Sequence, residues 1–274
     1  MRRKSLMALL LAGVLSCSMT AGVLVHAETT DNAADASESS VDERLESLAG
    51  TYTELFPVIG AEENKQIWID ALEAYTTDTD EIEQYYQMLL GSCTKEIYGQ
   101  EAIDAYSETP EDAGFDCYFL DDMAEMTIDG NTISGVDKDG NELFSHTYHY
   151  VEDQTVIYMG QELGSSYHIY ECDDPDSGDF TYFAFADDTP ADTYHLEFRY
   201  GASSEDIANF TEGAYAYWNA AAFMKDYDDQ ELKDVIQLFV DENVGSGEEE
   251  ATEDETATEE TVEDETVEDE TVAE

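Results

Sequence analysis

The stretch AEMTIDGNTISGVDKDGNELF, residues 124–144, decides the fold of the chain. Asp129-Gly130 and Asp139-Gly140 both lie between short runs in which apolar and polar residues alternate. An Asp-Gly pair in that setting favours the tight turn of a β-hairpin, because both central residues of such a turn adopt positive φ. The stretch therefore predicts two consecutive antiparallel hairpins.

Further strands are predicted after these hairpins, where short runs are rich in aromatic and β-branched residues. The runs are HTYHYV (146–151), TVIYM (155–159), SYHIYEC (166–172), FTYFAFA (180–186) and YHLEFRYG (194–201). Antiparallel strands at such regular spacing are typical of a small barrel or sandwich. Residues 47 to about 106 and residues 203–240 instead predict helical or irregular structure, which makes the chain an α+β domain with a β-barrel-like core.

The two ends of the chain are acidic and low in sequence complexity. Residues 248–274, EEEATEDETATEETVEDETVEDETVAE, contain no basic and no aromatic residue and cannot form a core. A disordered acidic tail is therefore predicted over residues 243–274, and a milder acidic linker over residues 28–46. Residues 47–242 between them are long enough for one domain with its own core.

The charge of the chain limits its partners. The sequence contains 67 acidic and 10 basic residues, which gives a formal net charge of −57. Such a surface repels nucleic acid and anionic lipid, and it attracts cations. Nucleic acid is therefore not an expected partner, whereas a divalent metal ion is.

The first 27 residues predict export. MRRKSLMALLLAGVLSCSMTAGVLVHA combines a basic start, an apolar stretch and a small-residue exit, so a signal peptide cleaved after Ala27 is predicted. Two alternatives stay open: an uncleaved membrane anchor, and a lipoprotein attached through Cys17, whose VLSC loosely resembles a lipobox. No later segment of the sequence is long and apolar enough to span a membrane. We expect a secreted or cell-surface protein without a membrane span in the mature chain.

The segment DDTPADTYHLEFRYG, residues 187–201, contains a candidate metal site. His195 and Glu197 are two positions apart on a predicted strand, so their side chains face the same way about 6.6 Å apart and can bind one ion together. Asp188 ends the preceding predicted strand, and a hairpin would bring it beside the pair. Asp188, His195 and Glu197 are therefore the candidate metal ligands, and an ordinary surface strand is the alternative.

Motifs for other chemistry are missing from the sequence. DKDGNE, residues 137–142, has its glycine at position 4, whereas a calcium-binding EF-hand loop needs a glycine at position 6. The chain has neither a GxSxG nucleophile elbow nor a glycine-rich phosphate loop. We therefore do not expect an enzyme.

Four stretches between residues 48 and 240 resemble one known family. They are LAGTYTELFPVI (48–59), EIEQYYQMLL (81–90), HTYHYV (146–151) and SSYHIYECDDPDSGDFTYFAFADD (165–188). The most specific part is the ECxDP turn, followed by a strand and then by the HxH-like strand that ends in Gly201. These stretches resemble the ZinT (YodA) family of periplasmic or cell-surface zinc-binding proteins, whose domain also forms the C-terminal part of some streptococcal zinc-receptor lipoproteins.

The resemblance implies a lipocalin-like (calycin) antiparallel β-barrel with flanking helices. The family holds zinc with three histidines whose positions fall on Asp188, His195 and Glu197, so only one imidazole is kept. Both replacing side chains can still bind a metal, but the harder ligand set implies weaker zinc affinity and poorer discrimination against Mn²⁺ or Ca²⁺. We expect binding to weaken as the pH falls through about 6.5, the ordinary pKa of imidazole.

Three cysteines remain after signal-peptide removal, and the sequence does not choose a pair. An exported protein permits one disulfide. The family's disulfide partner of Cys172 falls near His146, so the resemblance excludes that bond in its usual form. It leaves Cys93 with Cys117 as the pair that could replace it.

Two functional hypotheses follow from the resemblance. The first is an exported zinc-binding protein that scavenges or buffers zinc, or delivers it to an uptake system, with a metal-transporter receptor as its partner. The second is a lipocalin-like barrel that has lost the metal and binds a small molecule or a partner protein.

Overall fold

The computed structural model describes residues 41–91, 93–94, 115–158, 161–174, 176–211 and 219–245. The strands are β1 (Gly50–Glu54), β2 (Cys93–Thr94), β3 (Phe115–Asp116), β4 (Glu125–Asp129), β5 (Thr132–Val136), β6 (Glu142–Tyr158), β7 (Gln161–Cys172), β8 (Tyr182–Phe185), β9 (His195–Gly201) and β10 (Ala220–Met224). The α-helices are α1 (Glu43–Ser47), α2 (Leu55–Ile59), α3 (Lys65–Leu72), α4 (Thr79–Gly91), α5 (Pro190–Thr193), α6 (Ser204–Thr211) and α7 (Asp229–Val240). Two 3₁₀ helices, Glu62–Asn64 and Gly178–Phe180, and the π-helix Asp241–Gly245 are also present. The predicted signal peptide and residues 246–274 of the predicted tail lie outside the described residues.

Eight strands close into an antiparallel barrel in the order β1-β10-β9-β8-β7-β6-β5-β4. The hairpins predicted at Asp129-Gly130 and Asp139-Gly140 are confirmed as the β4–β5 and β5–β6 connections, and the two glycines have positive φ angles of 57° and 80°. The barrel with its flanking helices confirms the predicted lipocalin-like α+β architecture. None of the helices in the described ranges has the length and apolar character needed to cross a membrane.

Two barrel strands lie in segments that were predicted to be helical or irregular. β1 pairs with β4 and β10, with Tyr52 buried in the barrel core, and β10 pairs with β1 and β9. The prediction was wrong for β10 because its sequence AAAFM consists largely of good helix formers. The backbone hydrogen bonds that the two neighbouring strands offer outweigh the helix propensity of these residues.

Aromatic side chains fill the inside of the barrel. Alternate residues of β8 and β9 point inwards, and Phe183, Phe185, Phe198 and Tyr200 pack with ring centroids 5.2–6.2 Å apart. Each of the four is at most 2% exposed. Burying an apolar side chain of this size stabilises the fold by roughly 1.5–3 kcal/mol. The interior is therefore a packed core, and the intervening residues of both strands point outwards.

Helices pack against the outside of the barrel beside β10. Ala221 and Phe223, the outward residues of β10, belong to one buried cluster with side chains of α2, α3, α4 and α7. Asp228 is the N-cap of α7 and forms a capping box. Its side chain accepts hydrogen bonds from the backbone N–H groups of Gln230 and Glu231, and the Glu231 side chain accepts one from the backbone N–H of Asp228. The outer face of β10 is thus covered by protein.

The folded part extends beyond the predicted limits of residues 47 and 242. α1 lies within the predicted acidic linker, and its Leu45 is buried in the barrel core. At the other end, Asn243 and Val244 of the π-helix are buried, although they were assigned to the acidic tail. The acidic composition of both segments predicted disorder. One or two buried side chains are nevertheless enough to anchor so short a segment to the fold.

Cys93 and Cys117 form a disulfide. Cys172 is free and buried. The pairing that the family resemblance left open to Cys93 and Cys117 is therefore confirmed.

A fully buried ion pair lies on the outside of the barrel. Arg199 of β9 and Asp116 of β3 are both 0% exposed, with Arg199 Nη2 3.5 Å from Asp116 Oδ1. The guanidinium also donates to the backbone oxygens of Asp116 (2.8 Å) and Tyr118 (2.7 Å). It lies 5.2 Å from the ring centroid of Phe210 in α6. Arg199 therefore ties the segment around Cys117 to the wall of the barrel.

Replacing Arg199 with Met should lower the free energy of unfolding by about 3–5 kcal/mol, because the buried carboxylate of Asp116 loses the cation that lies beside it. Adding Asp116→Asn should recover part of the loss, since it removes the buried charge but does not replace the guanidinium donors to the backbone oxygens of Asp116 and Tyr118. Urea unfolding of the wild type, Arg199→Met and the double variant measures both effects. Equal stability of the single and double variants would contradict this explanation.

Candidate metal centre

His195 and Glu197 face outwards from the barrel on the same side of β9. His195 pairs with Phe223 and Glu197 with Ala221 across the β9–β10 ladder. Leu196 between them is buried in the barrel core. Because successive side chains of a strand point to opposite faces, the His-x-Glu pair lies on the face where the helices pack. The two side chains are 14% and 23% exposed.

A loop brings Asp188 to this pair. Ala186, directly after β8, donates its backbone N–H to Glu197 O (2.9 Å), and Asp188 follows in the loop rather than at the end of the strand as predicted. α5 and Tyr194, which has a left-handed φ of 63°, then turn the chain into β9. Ligand atoms of Asp188, His195 and Glu197 lie within 4.8 Å of one another. The structure thus brings the three predicted residues together.

A hydrogen bond decides which nitrogen of His195 can bind a metal. Nδ1 lies 2.7 Å from the backbone oxygen of Thr193, which only accepts, so Nδ1 carries a proton. Nε2 lies 3.7 Å from Glu197 Oε1. Metal-binding histidines usually donate their second ring N–H to a carbonyl or carboxylate, which fixes the orientation of the ring. Nε2 is therefore the nitrogen that faces the candidate site.

Two buried polar residues hold Glu197 in place. Asn219 Nδ2 donates to Glu197 Oε2 (2.9 Å), and Tyr167 OH donates to Asn219 Oδ1 (2.5 Å). Asn219 is 6% and Tyr167 is 2% exposed. Sequence reasoning missed both residues, because they come from distant parts of the chain and neither stands in a recognisable motif.

The neighbours of His195 change its protonation. Burial lowers the pKa of His195, but the hydrogen bond and charge of Glu197, with the Thr193 carbonyl, outweigh burial and raise that pKa to about 9. Burial raises the pKa of Glu197, yet the hydrogen bonds and charge of His195 and the hydrogen bond of Asn219 leave it below its ordinary value. In the metal-free protein, His195 and Glu197 therefore form an imidazolium–carboxylate pair at neutral pH.

A fourth ionisable group, Glu242, lies near these three. It belongs to the π-helix that follows α7 and is partly buried. Burial raises the pKa of Glu242 to about 7; the charge of His195 opposes this rise, and the charges of Glu197 and Asp188 add to it. Sequence reasoning missed Glu242, because it stands at the border of the predicted tail and far along the chain from β9.

The site offers one imidazole nitrogen and several carboxylate oxygens to a divalent cation. Zn²⁺ accepts His nitrogen together with Asp or Glu oxygen, whereas carboxylate-rich sets also suit Mn²⁺. Within the described part of the chain, Asp188, His195 and Glu197 are the one group of three or more His, Cys, Asp or Glu side chains with ligand atoms this close. A metal at His195 must displace the proton on Nε2.

Solved structures that are similar to this chain include two Zn(II)-bound ones. No protein-family model and no curated protein matches the chain. Zn(II)-bound AdcA from Streptococcus pneumoniae is similar at 17% identity and a TM-score of 0.44, over 70% of this chain and 35% of that chain. The Zn(II)-bound ZinT-like domain of S. pneumoniae AdcA is similar at the same identity and TM-score, over 73% of this chain and 94% of that chain. This chain therefore spans about a third of the length of AdcA. The second structure is named after the ZinT family, which the sequence resembles. The fold class of this chain is established by its own eight-stranded barrel.

The metal-free protein should lose stability between about pH 6.5 and pH 9 because of His195. Its pKa is about 9 in the folded protein and about 6.5 in an unfolded chain, so its contribution is complete below pH 6.5 and is lost as the pH rises through 9. A shift of this size corresponds to on the order of 3 kcal/mol. Urea unfolding in the presence of a chelator should show this loss in the wild type and not in His195→Gln. Parallel pH curves for the two proteins would show that the pKa of His195 is not raised.

Proposed function

We propose that this is an exported protein that binds zinc through Asp188, His195 and Glu197 and then scavenges it, buffers it or delivers it to an uptake system. The observation that carries the proposal is the convergence of three ligand atoms within 4.8 Å of one another. Two of these side chains belong to one rigid strand, so little conformational entropy is lost when an ion binds.

The groups around the ligands also support metal binding. Thr193 O fixes the imidazole of His195 with Nε2 towards the carboxylates, and Asn219 fixes Glu197. Tyr167 in turn holds Asn219. Partners of this kind orient metal ligands, and their removal typically weakens metal affinity by about 10- to 100-fold.

Zinc is the metal to test first, because the ZinT family that the sequence resembles binds zinc. One imidazole in place of three makes a harder ligand set, so we infer weaker zinc affinity and stronger competition from Mn²⁺ than a three-histidine site would show. The formal net charge of −57 supports cation uptake in general, since it raises the local concentration of cations around the protein.

Export and delivery are the further parts of the proposal. The predicted signal peptide supports a place outside the cytoplasm, where the receptor of a metal transporter would accept the ion. A site in which His195 holds its own proton tightly suits transfer, because protonation favours release of the metal.

The barrel interior does not favour the alternative of a small-molecule carrier. Phe183, Phe185, Phe198 and Tyr200 pack against one another inside it. A lipocalin holds its ligand in that place. Binding of a small molecule or a partner protein on the outer surface is the alternative if zinc binding fails.

Calorimetric titration with Zn²⁺ tests the proposal. The mature chain should bind one equivalent strongly, in addition to loose uptake by its many exposed carboxylates. His195→Ala should lose the strong site and keep the loose uptake, which makes it the control. Asp188→His with Glu197→His should bind zinc more tightly and prefer it more strongly over Mn²⁺. Equal binding by all three proteins, or no binding by any, would contradict the proposal.

The pH dependence of the strong site is a separate prediction. Because His195 has a raised pKa of about 9, zinc affinity should fall about tenfold for each pH unit below 9, as one proton must leave when the metal binds. This range lies above the value near 6.5 expected from the sequence, because Glu197 stabilises the imidazolium. Calorimetry at pH 6, 7 and 8 measures the slope. Equal affinity at pH 7 and pH 8 would be incompatible with a proton on His195 in that range.

A further inference from the structure

Asp188 reaches the candidate site from a loop, so the position of its carboxylate depends on the contacts that hold this loop. Asp188 comes after the hydrogen bond from Ala186 N to Glu197 O, and is not itself part of a strand. Its neighbour Asp187 is bound to β7: Asp187 Oδ1 lies 2.7 Å from His168 Nε2, and Asp187 Oδ2 accepts from the backbone N–H of Ser166 (3.2 Å).

His168 itself lies between two carboxylates. Its Nδ1 is 2.6 Å from Asp153 Oδ1 on β6, and its Nε2 contacts Asp187. Ionised carboxylates accept hydrogen bonds but cannot donate them, so a ring nitrogen of His168 that carries a proton donates to the carboxylate beside it. Charge-assisted hydrogen bonds of this kind are about twice as strong as neutral ones. Both nitrogens are occupied on opposite sides of the ring, so this cluster is not a chelating metal site.

A cationic side chain also contacts this stretch of the loop. Arg44 of α1 donates from Nη2 to the backbone oxygen of Ala186 (2.6 Å) and lies 3.9 Å from Asp187 Oδ1. We call Arg44, Asp153, His168 and Asp187 the loop brace.

We infer that His168 is a positioning residue for the metal site: it holds Asp187 and thereby directs Asp188 towards the other two ligands. Asp187 directly precedes Asp188 in the chain, so the contacts that hold Asp187 on β7 limit where the loop can place the carboxylate of Asp188. The inference rests on the proposed function. It adds a residue that the family resemblance does not assign to the site.

A zinc competition titration with a double-mutant cycle tests the inference. His168→Gln should weaken zinc binding by about 10- to 100-fold, as expected for a group that orients a ligand. In an Asp188→Ala background the same change should have no further effect, because its action passes through Asp188. His149→Gln is the matched control and should leave the affinity unchanged, since His149 of β6 forms an exposed pair with Asp173, which directly follows β7 (3.1 Å).

Two results of this cycle would overturn the inference. One is an unchanged zinc affinity in His168→Gln while His195→Ala still abolishes the strong site. The other is an equal loss from His168→Gln in both backgrounds, which would indicate a general effect on the fold. If the wild type and His195→Ala bind zinc equally, the proposed function fails. The loop brace is then tested in the metal-free protein.

Hydrogen exchange of the metal-free mature chain tests the loop brace independently of zinc binding. In His168→Gln, the amides of Ser166 and of residues 186–194 should exchange faster than in the wild type or in His149→Gln. Asp153→Asn should have a smaller effect, because its amide oxygen still accepts from His168. Should His168→Gln not fold, Asp153→Ala tests the same contact at a side chain that is 53% exposed. Unchanged exchange in the loop would overturn the inference whatever the zinc data show.

Discussion

The pairing of opposite charges along β9 is the constraint on which the outer layer of the structure depends. His195, Glu197 and Arg199 lie in one row on the outward face of this strand, where protein covers Arg199 completely and the other two side chains largely. An unpaired buried charge costs on the order of several kcal/mol. Arg199 is paired with Asp116, and His195 with Glu197. Both pairs therefore offset part of the cost of covering this face with protein.

The same constraint makes the row sensitive to a cation. Asp188, Glu197 and Glu242 together bring more negative charge to the site than the single imidazolium of His195 can neutralise. Burial raises the pKa of Glu242 to about 7, and the charges of the neighbouring carboxylates add to this rise. A divalent ion in place of one proton would restore the balance. A second positive charge at the proposed zinc site would therefore offset partly buried negative charge.

Local signals in the sequence were sufficient to predict the middle of the barrel and the His-x-Glu pair. The Asp-Gly turns and the alternation of β9 each involve residues close together in the chain. β10 was missed because its alanines carry no strand signal. Asn219 and Glu242 were missed because tertiary packing alone brings them to β9. The pKa of His195 was expected near 6.5 for the same reason, since neither its burial nor its contact with Glu197 is encoded locally.

X-ray absorption at the zinc edge, on the mature chain loaded with one equivalent of Zn²⁺, tests the central claim most directly. The expected spectrum is that of one imidazole nitrogen and two or three oxygens at about 2.0–2.2 Å. In His195→Ala the nitrogen should disappear from the shell. A sulfur ligand, which Cys172 would have to supply, would contradict a site built from Asp188, His195 and Glu197. An oxygen-only shell that is identical in both proteins would contradict it as well, and would place the metal on exposed carboxylates instead.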